Sequence, residues 1–349
     1  MKKSRVEIKC GIFATIIVIA AVFSVMLLTG TGQYVPRTSD YSAYELAVNP
    51  PMPDFSYPLA NYSLVRGGMT FDIFERIGIE NYESGIEFYE GLTNMTHRDR
   101  YGRLDIHETP TTVIQYHALE QNTLKFELAQ GTGAIKRGNS IIVGSEDVSG
   151  IFVMLDGSTA NIAGQEVLFS LPSGSGVVFR TDTGIDSPVG TAVAEGRVSA
   201  EMYLLDAGWT VGEDVVSYGD TWLYAVTASE EIVEVQVTGN ATGKSVVIHV
   251  TEPYLKYVSA DDMTVKLDGV DLKSGLGMAE TLWDTGEEAS YFAVKTANGY
   301  DVIVYIPENS DSVITITTAD ANFGVDGLIT LLAAIGIVGV AVVALIKTE

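Results

Sequence analysis

The chain has 349 residues, and its 45 acidic residues against 21 basic ones give a formal net charge of −24. An acidic surface of this kind repels nucleic acid and anionic lipid headgroups, which excludes both as favoured partners. The single cysteine, Cys10, excludes an internal disulfide, so stability must come from core burial and hydrogen-bonded hairpins.

Residues 1–10 form a basic tail, and residues 11–28 after them carry no charge. A helix of this length covers about 27 Å, close to the hydrocarbon thickness of a bilayer. Basic residues directly before the apolar run favour a cytoplasmic N-terminus. A cleaved signal peptide also begins with basic residues, but residues 28–33 match a small-x-small cleavage site poorly. We therefore expect an uncleaved transmembrane helix at 11–28, with a signal peptide as the alternative.

A second apolar stretch occupies residues 328–346 and is followed by a short tail, 347–349. Asp320 and Asp326 precede it and Lys347 follows it, which again places the tail in the cytoplasm. The residues between the two stretches carry 43 acidic and 16 basic side chains, a net charge of −27, and we expect them outside the cytoplasm. An external domain without disulfides is ordinary in prokaryotes, so the sequence favours a bacterial or archaeal cell membrane.

Three Asn-x-Ser/Thr triplets begin at Asn61, Asn94 and Asn240. All three lie between the apolar stretches, which agrees with one external domain. In a host that modifies this triplet, these asparagines are the candidate glycosylation sites.

Two segments of different composition lie between the first apolar stretch and residue 111. Residues 29–66 are rich in proline and tyrosine, which predicts an extended stalk or a wrapping arm. Residues 67–110 are mixed in pattern. Within them, apolar residues of the segment 71–92 approximate helical spacing, which predicts a short helix pair.

From residue 111 onward, short β-branched runs alternate with turn residues, which predicts antiparallel strands. Three hairpins are expected: one over 232–250, one with the strand 265–267 turning at Asp268-Gly269, and one over 291–306 around Asn298-Gly299. One or two helical turns are expected near residues 279–283.

The predicted fold class is therefore mainly β, an antiparallel β-sandwich ectodomain with a transmembrane helix at each end. Pro253 follows a predicted strand and suggests a boundary between two β domains. We assign the first β domain to 111–252 and the second to 253–320.

Three of the four histidines fall within 24 residues, which makes a metal site the closest approach to a chemical cluster. His97, His107, His117 and Glu120 are the candidate ligands, because two histidines and a carboxylate can hold zinc or iron. Their spacing matches no standard motif. The alternative is a set of histidines scattered on polar loops.

Acidic turns provide a second candidate, a structural calcium site, since clustered aspartates can supply oxygen ligands. The aspartates concerned are Asp182, Asp186, Asp261, Asp262, Asp268 and Asp271. None follows EF-hand spacing, and aspartate is common in turns for backbone reasons. Residues 239–245 resemble a phosphate-binding loop, but the glycines are one residue too close and a strand follows, so we reject a nucleotide site.

No signature of covalent catalysis is present: the sequence lacks a GxSxG elbow, and its one cysteine lies outside the acidic region. His249 alternates with apolar residues in a predicted strand, which places it on a solvated face. Six aromatic residues are candidates for a glycan-stacking surface, with core filling as the alternative. They are Trp209, Trp222, Trp283, Tyr203, Tyr218 and Tyr224.

These observations favour a non-enzymatic, membrane-anchored cell-surface protein with a structural, adhesion or interaction role. Envelope proteins or surface glycans are the expected partners. The alternatives are a ligand-binding or sensing subunit of an envelope complex and a metal-dependent hydrolase that uses the same histidines.

Overall fold

A computed structural model describes most of the acidic region. The described residues are 41–46, 55–66, 69–83, 86–90, 94–107, 109, 111–145, 148–182, 187–206, 211–251, 254–255, 260–296, 299–308 and 311–318. Both predicted transmembrane helices, 11–28 and 328–346, and the terminal tails 1–10 and 347–349 lie outside these residues. Within the described ranges, none of the helices combines the length and the apolar character needed to cross a bilayer.

The first fourteen strands form two sheets, A and B. In chain order they are β1 (Tyr41–Leu46), β2 (Ser56–Arg66), β3 (Met69–Ile79), β4 (Ile86–Glu90), β5 (Asn94–Arg98), β6 (Gly102–His107), β7 (Val113–Ala118), β8 (Asn122–Leu128), β9 (Gly133–Arg137), β10 (Ser140–Gly144), β11 (Ser149–Leu155), β12 (Thr159–Ala163), β13 (Glu166–Leu171) and β14 (Gly176–Asp182). Sheet A has the order β1-β2-β3-β8-β13-β12, and sheet B has the order β4-β5-β6-β7-β14-β11-β10-β9.

The remaining strands form sheets C and D. They are β15 (Val198–Asp206), β16 (Val211–Ser217), β17 (Thr221–Ala228), β18 (Ile232–Gly239), β19 (Lys244–Thr251), β20 (Met263–Leu267), β21 (Val270–Asp271), β22 (Lys273–Ser274), β23 (Ser290–Thr296), β24 (Gly299–Ile306) and β25 (Ser312–Thr318). Sheet C has the order β16-β15-β19-β24-β23-β22, and sheet D has the order β17-β18-β25-β20-β21. Two short helices, α1 (Pro188–Ala194) and α2 (Met278–Leu282), and a 3-10 turn (Ala260–Asp262) complete the described elements.

Sheets A and B pack face to face over an aromatic core. Sheet A contributes Phe74, Phe126 and Phe169, and sheet B contributes Phe152 and Phe179. The ring centroids of Phe126 and Phe152 are 4.6 Å apart and those of Phe74 and Phe179 are 4.7 Å apart. Both contacts join the two sheets in edge-to-face geometry, which aromatic rings favour. The first sandwich is therefore held by interlocking rings.

Sheets C and D pack over a second core that is mostly aliphatic. Val233, Val235 and Val237 of β18 face Val246 and Ile248 of β19 across this core. The predicted hairpin 232–250 is wrong, because β18 pairs with β17 and β25 whereas β19 pairs with β15 and β24. Both strands alternate as a hairpin would, but the chain between them crosses from one sheet to the other, and the fully buried Ala241 lies in that crossing.

The two sandwiches are stacked, so that the outer face of sheet B meets the outer face of sheet C. A third apolar cluster fills this junction and includes Ile151 and Val178 of sheet B and Val247 and Ile303 of sheet C. Helices α1 and α2 contribute Val193 and Leu282 to the same cluster. We refer to this region as the junction. It covers strand faces that would otherwise be solvated.

The prediction of antiparallel sheets is confirmed for nearly all described pairs, the exceptions being the parallel pairs β15–β19 and β22–β23. The hairpins at Asp268-Gly269 and 291–306 are confirmed, as is a short helix near residue 279. The first sandwich ends with β14 at Asp182 and the second begins with β15 at Val198. The sequence suggested boundaries at 110 and 252 instead. A proline after a strand marks a turn, and here Pro253 lies between two strands of one sandwich.

Two predictions for the N-terminal region are wrong. The expected stalk contains β1 and β2, which pair with each other in sheet A. A register irregularity between Ser56 and Leu59 accommodates Pro58, as bulges commonly do. The expected helix pair at 71–92 is β3 and β4 instead. A bulge between Phe74 and Arg76 interrupts the two-residue alternation of β3, so its buried positions imitate helical spacing.

Candidate functional site

The junction contains a buried ion pair between the two sandwiches. Arg180 lies on the outer face of β14 in sheet B, and Glu201 lies on the outer face of β15 in sheet C. The Nε atom of Arg180 donates to Oε1 of Glu201 at 2.8 Å, and a terminal guanidinium nitrogen donates to Oε2 at 3.3 Å. The two side chains are 3% and 1% exposed. A bidentate pair of this geometry links the sheets directly.

Further donors surround the Glu201 carboxylate. The hydroxyl of Tyr218 donates to Oε1 at 2.9 Å, and the hydroxyl of Tyr203 donates to Oε2 at 2.8 Å. Burial by itself would raise the pKa of Glu201, but the charge of Arg180 and the hydrogen bonds and charge of His249 outweigh it and hold that pKa well below its usual range. Glu201 is therefore ionised throughout the neutral and mildly acidic range.

His249 of β19 extends the network towards solvent. Its Nε2 lies 3.2 Å from Oε2 of Glu201, and its Nδ1 lies 2.8 Å from Oδ1 of Asp301 in β24. The imidazole stacks on the Tyr203 ring with centroids 4.2 Å apart. Burial lowers the pKa of His249, but the charge of Asp301 and the hydrogen bonds to both carboxylates reverse that effect and raise the pKa to about 9.

This arrangement corrects the prediction that His249 lies on a solvated face. Its side chain is 15% exposed, and Asp301 beside it is 27% exposed, so the network reaches solvent only at this end. Two cations, Arg180 and His249, balance two carboxylates. Burial, with the negative charge of Glu201, raises the pKa of the Tyr203 and Tyr218 hydroxyls well above the ordinary value, so both remain protonated donors. A network in this state positions charges and donates hydrogen bonds, but it supplies no activated nucleophile.

Two more side-chain contacts cross the junction. His107 at the end of β6 bonds through Nδ1 to Oδ1 of Asp214 in β16 at 2.5 Å, and both side chains are almost fully buried. The Thr111 hydroxyl bonds to the hydroxyl of Tyr203. The Thr111 contact extends the Arg180–Glu201 network through Tyr203, whereas the His107–Asp214 contact links sheet B to sheet C separately.

The four predicted metal ligands do not converge. His97 faces the first core and stacks on Tyr82, with ring centroids 4.6 Å apart. His107 and His117 occupy the opposite face of sheet B, paired with Val113 and Arg103 respectively. Four residues of one antiparallel strand separate these two positions, about 13 Å. Glu120 is exposed in the turn after β7.

Strand alternation places His97 on the face opposite His107 and His117, and distance along the strands separates those two from each other. In the described part of the chain, no three His, Cys, Asp or Glu side chains are grouped to hold a metal ion. Two of the predicted calcium aspartates make other contacts: Asp268 accepts a hydrogen bond from the Val313 amide, and Asp271 pairs with Lys266. Asp186 lies outside the described residues.

The glycosylation candidates occupy three different settings. Asn240 is exposed in the crossing after β18, where its side chain accepts a hydrogen bond from the Thr242 amide. Asn61 is exposed within β2 and has a positive φ of 53°. Asn94 begins β5 and pairs with Glu90. All three remain predicted acceptors.

The five aromatic candidates that the structure describes separate into two groups. Tyr203 and Tyr218 belong to the junction network, and the indole nitrogen of Trp283 donates to Glu195 at 2.7 Å. Trp222 and Tyr224 are about half exposed on β17. Trp209 lies outside the described residues.

One cleft of about 700 Å³ lies beside the junction, between sheet B and the C-terminal end of α1. Its apolar floor includes Ile142, Ile151 and Val153, and its rim includes Arg137 and Glu195. This volume is in the range of small-molecule sites, which combine an apolar lining with a few polar groups.

Sequence reasoning missed Arg180, Glu201 and Asp301. Each occupies an outward position of its strand, where a charged residue is expected to be solvated. A signal was present nonetheless: neighbouring outward positions such as Val178 in β14 and Val247 in β19 are apolar. Strands that are apolar on both sides are typical of sheets covered on both faces.

Comparisons with known proteins do not assign a family. No protein-family model and no curated protein matches the chain. Among solved structures, part of a glycoside hydrolase family 81 protein from Clostridium thermocellum is similar at 10% sequence identity and a TM-score of 0.30. That alignment covers 80% of this chain and 32% of the other, so this chain spans about a third of that protein's length. A likeness this distant carries no argument about function.

Proposed function

We propose that this chain is a membrane-anchored, non-enzymatic surface protein whose stacked β-sandwiches form a rigid module for adhesion, surface architecture or assembly with partners. The observation that carries the proposal is the closed charge network of the junction. Arg180, Glu201, His249 and Asp301 satisfy one another across the two sandwiches. Such a network fixes the relative position of the sandwiches, as a load-transmitting module requires.

The membrane attachment in this proposal rests on the sequence. The apolar segments 11–28 and 328–346 have the length of bilayer-spanning helices, and the acidic region between them suits an exterior placement. Attachment at both ends would hold the module close to the membrane surface.

Topology can be tested with the single cysteine of the chain. In a Cys10→Ser background, Asn240→Cys places a thiol at an exposed position of the second sandwich. A membrane-impermeant maleimide should label it in intact cells, while Cys10 in the wild-type chain should react only after lysis. Labelling of Asn240→Cys only after lysis would overturn the exterior placement.

The non-enzymatic role can be tested by complementation of a deletion strain scored for cell adhesion and envelope integrity. His107→Gln and His249→Gln remove the two histidines that contact carboxylates in the junction. Folded, correctly inserted variants should restore the phenotype, because a rigid module does not depend on a proton-transferring imidazole. A variant that folds normally and fails to complement would support an enzyme instead.

Ligand binding or sensing is the second candidate function, and the cleft favours it. Trp283 bonds to Glu195 on the cleft rim, so its fluorescence should respond when a small apolar ligand occupies the floor. Ile142→Phe would narrow that floor without adding a second tryptophan and should weaken the response. Ile135→Arg, at an exposed position of the edge strand β9, is the matched control.

A further inference from the structure

The outer face of sheet D carries two exposed aromatic rings on one edge strand. Trp222 and Tyr224 of β17 are 48% and 50% exposed, and Leu223 between them is buried in the second core. Alternation along the strand therefore directs both rings to the same side, about 7 Å apart. Sheet D is the last described layer of the stack, and about half of each ring remains exposed.

The side chains directly opposite these rings on the adjacent strand are polar but uncharged. Trp222 lies opposite Thr238 and Tyr224 lies opposite Gln236 on the adjacent strand β18. Beyond Gln236 in the same row is Val313 of β25. The first charged residue on this side of β18 is Glu234, one row further from Trp222. The carboxylate of Glu213 in β16 also lies at this edge, where it accepts a hydrogen bond at 2.8 Å from the amide of Ala225, the residue after Tyr224. The uncharged surface is therefore limited to the two rings and the side chains opposite them, with carboxylates at its border.

We propose that Trp222 and Tyr224 form a platform that binds a neutral polysaccharide chain. The C–H faces of a pyranose ring stack on aromatic rings, and its hydroxyl groups hydrogen-bond to amide and hydroxyl side chains such as Gln236 and Thr238. Two rings two residues apart match two neighbouring sugars of an extended chain.

Charge complementarity selects a neutral occupant. The acidic surface, including the bordering carboxylates of Glu213 and Glu234, repels anionic polysaccharides. The side chains that would contact the occupant are uncharged, so they offer hydrogen bonds and stacking to a neutral chain and no counter-charge to a basic protein. The proposal deepens the proposed surface function by naming a partner class, and it rests on exterior placement for its biological meaning. The binding measurement itself does not depend on topology.

The test uses the full chain purified in detergent and mixed with particulate cellulose, chitin, mannan or starch. At least one of these neutral polysaccharides should retain the protein. Trp222→Ala and Tyr224→Ala should each weaken that binding about tenfold, since a stacking contact contributes on this scale. Trp222→Phe should retain most of the affinity because it keeps an aromatic ring. Unchanged thermal midpoints would show that the exposed substitutions leave the fold intact.

Leu276→Ala is the matched control, because Leu276 is 92% exposed and lies outside sheet D. It should bind as the wild type does. Three results would overturn the proposal: no retention on any of the four polysaccharides, equal retention of Trp222→Ala, or tighter binding to anionic polygalacturonate. Self-association that Trp222→Ala abolishes would also overturn it, since the face would then bind a second copy. Maleimide labelling from outside together with absent glycan binding would reject the platform and leave the proposed function standing.

Discussion

The guanidinium of Arg180 and the carboxylate of Glu201 form a bidentate ion pair, 2.8 Å from Nε to Oε1, although the residues belong to different sandwiches. Each charge is removed from water by the sheet that carries the other. A buried pair of this kind is costly to break from one side, because the remaining charge keeps its desolvation penalty without its partner. The pair therefore makes the packing of one sandwich depend on the other.

Replacing Glu201 with Gln should lower the free energy of unfolding by about 3–5 kcal/mol, because Arg180 would remain buried without a counter-charge. Urea denaturation followed by circular dichroism measures this loss. Glu288→Gln is the control: it removes the partner of Lys273 at a fully exposed pair and should leave the midpoint unchanged. Adding Arg180→Leu to Glu201→Gln should recover part of the loss. Equal midpoints for Glu201→Gln and Glu288→Gln would refute a stabilising junction pair.

The raised pKa of His249 predicts a stability that falls on the alkaline side. The folded protein holds this proton with a pKa of about 9, whereas the ordinary value is 6.5. The contribution is therefore complete below about pH 6.5 and is lost as the pH rises through 9. Urea midpoints of the wild type should decline across this window. His249→Gln should lack that part of the decline.

His117 also titrates, but its pKa is shifted in the opposite direction to that of His249. Burial lowers the pKa of His117. The folded state therefore favours the neutral imidazole, and the stability that this contributes is lost only as the pH drops below about 6.5. His117→Gln should therefore leave the alkaline decline in place. A decline that survives in His249→Gln but disappears in His117→Gln would contradict the assignment.

Local chemistry predicted much of the fold. The Asp268-Gly269 dipeptide predicted a hairpin, and both residues have positive φ, 52° and 79°. The sequence could not show whether β18 and β19 pair in one sheet or face each other from two sheets. The apolar and polar residues around Val235 and Ile248 alternate in the same way in both arrangements. Pairing of that kind depends on long-range contacts that the alternation does not record.

The candidate site was hidden for a related reason. Arg180 and Glu201 occupy the outward positions of their strands, and only the stacking of two sandwiches removes those positions from water. The histidine cluster, by contrast, led to the prediction of a metal site that the described residues do not form. His97 and His107 are close in sequence, but the pleat of sheet B places them on opposite faces. Closeness in sequence therefore predicted a site that alternation and the distance along the strands prevent.

The turn at Gly269 offers a local test of the predicted hairpin. Gly269 has a φ of 79°, a region that L-residues adopt only at a cost. Gly269→Ala should lower stability by about 1 kcal/mol, with no steric contact to add to it, because open space surrounds the position. Gly269→Asn should cost less, since asparagine tolerates this region better. Thermal unfolding of the three proteins would rank them, and the reverse order would argue against a strained turn.

Gly150 tests the aromatic core, because it lies in β11 where a side chain would meet the ring of Phe179. A Cβ atom at Gly150 would overlap Cζ of Phe179, and that ring is held against Phe74, Phe152 and Tyr62. The ring cannot yield without disturbing its neighbours, so Gly150→Ala should cost about 1–3 kcal/mol. Gly133→Ala in the edge strand β9 meets open space and should be neutral or slightly stabilising. Phe179→Leu alone should also lower stability because it removes ring contacts. Combined with Gly150→Ala it should cost less than the sum of the two single losses, because the smaller side chain makes room for the methyl group. Chemical denaturation of these variants distinguishes two explanations. The substitution of Phe179 would relieve a local steric conflict, but it would not relieve a backbone requirement for glycine at position 150.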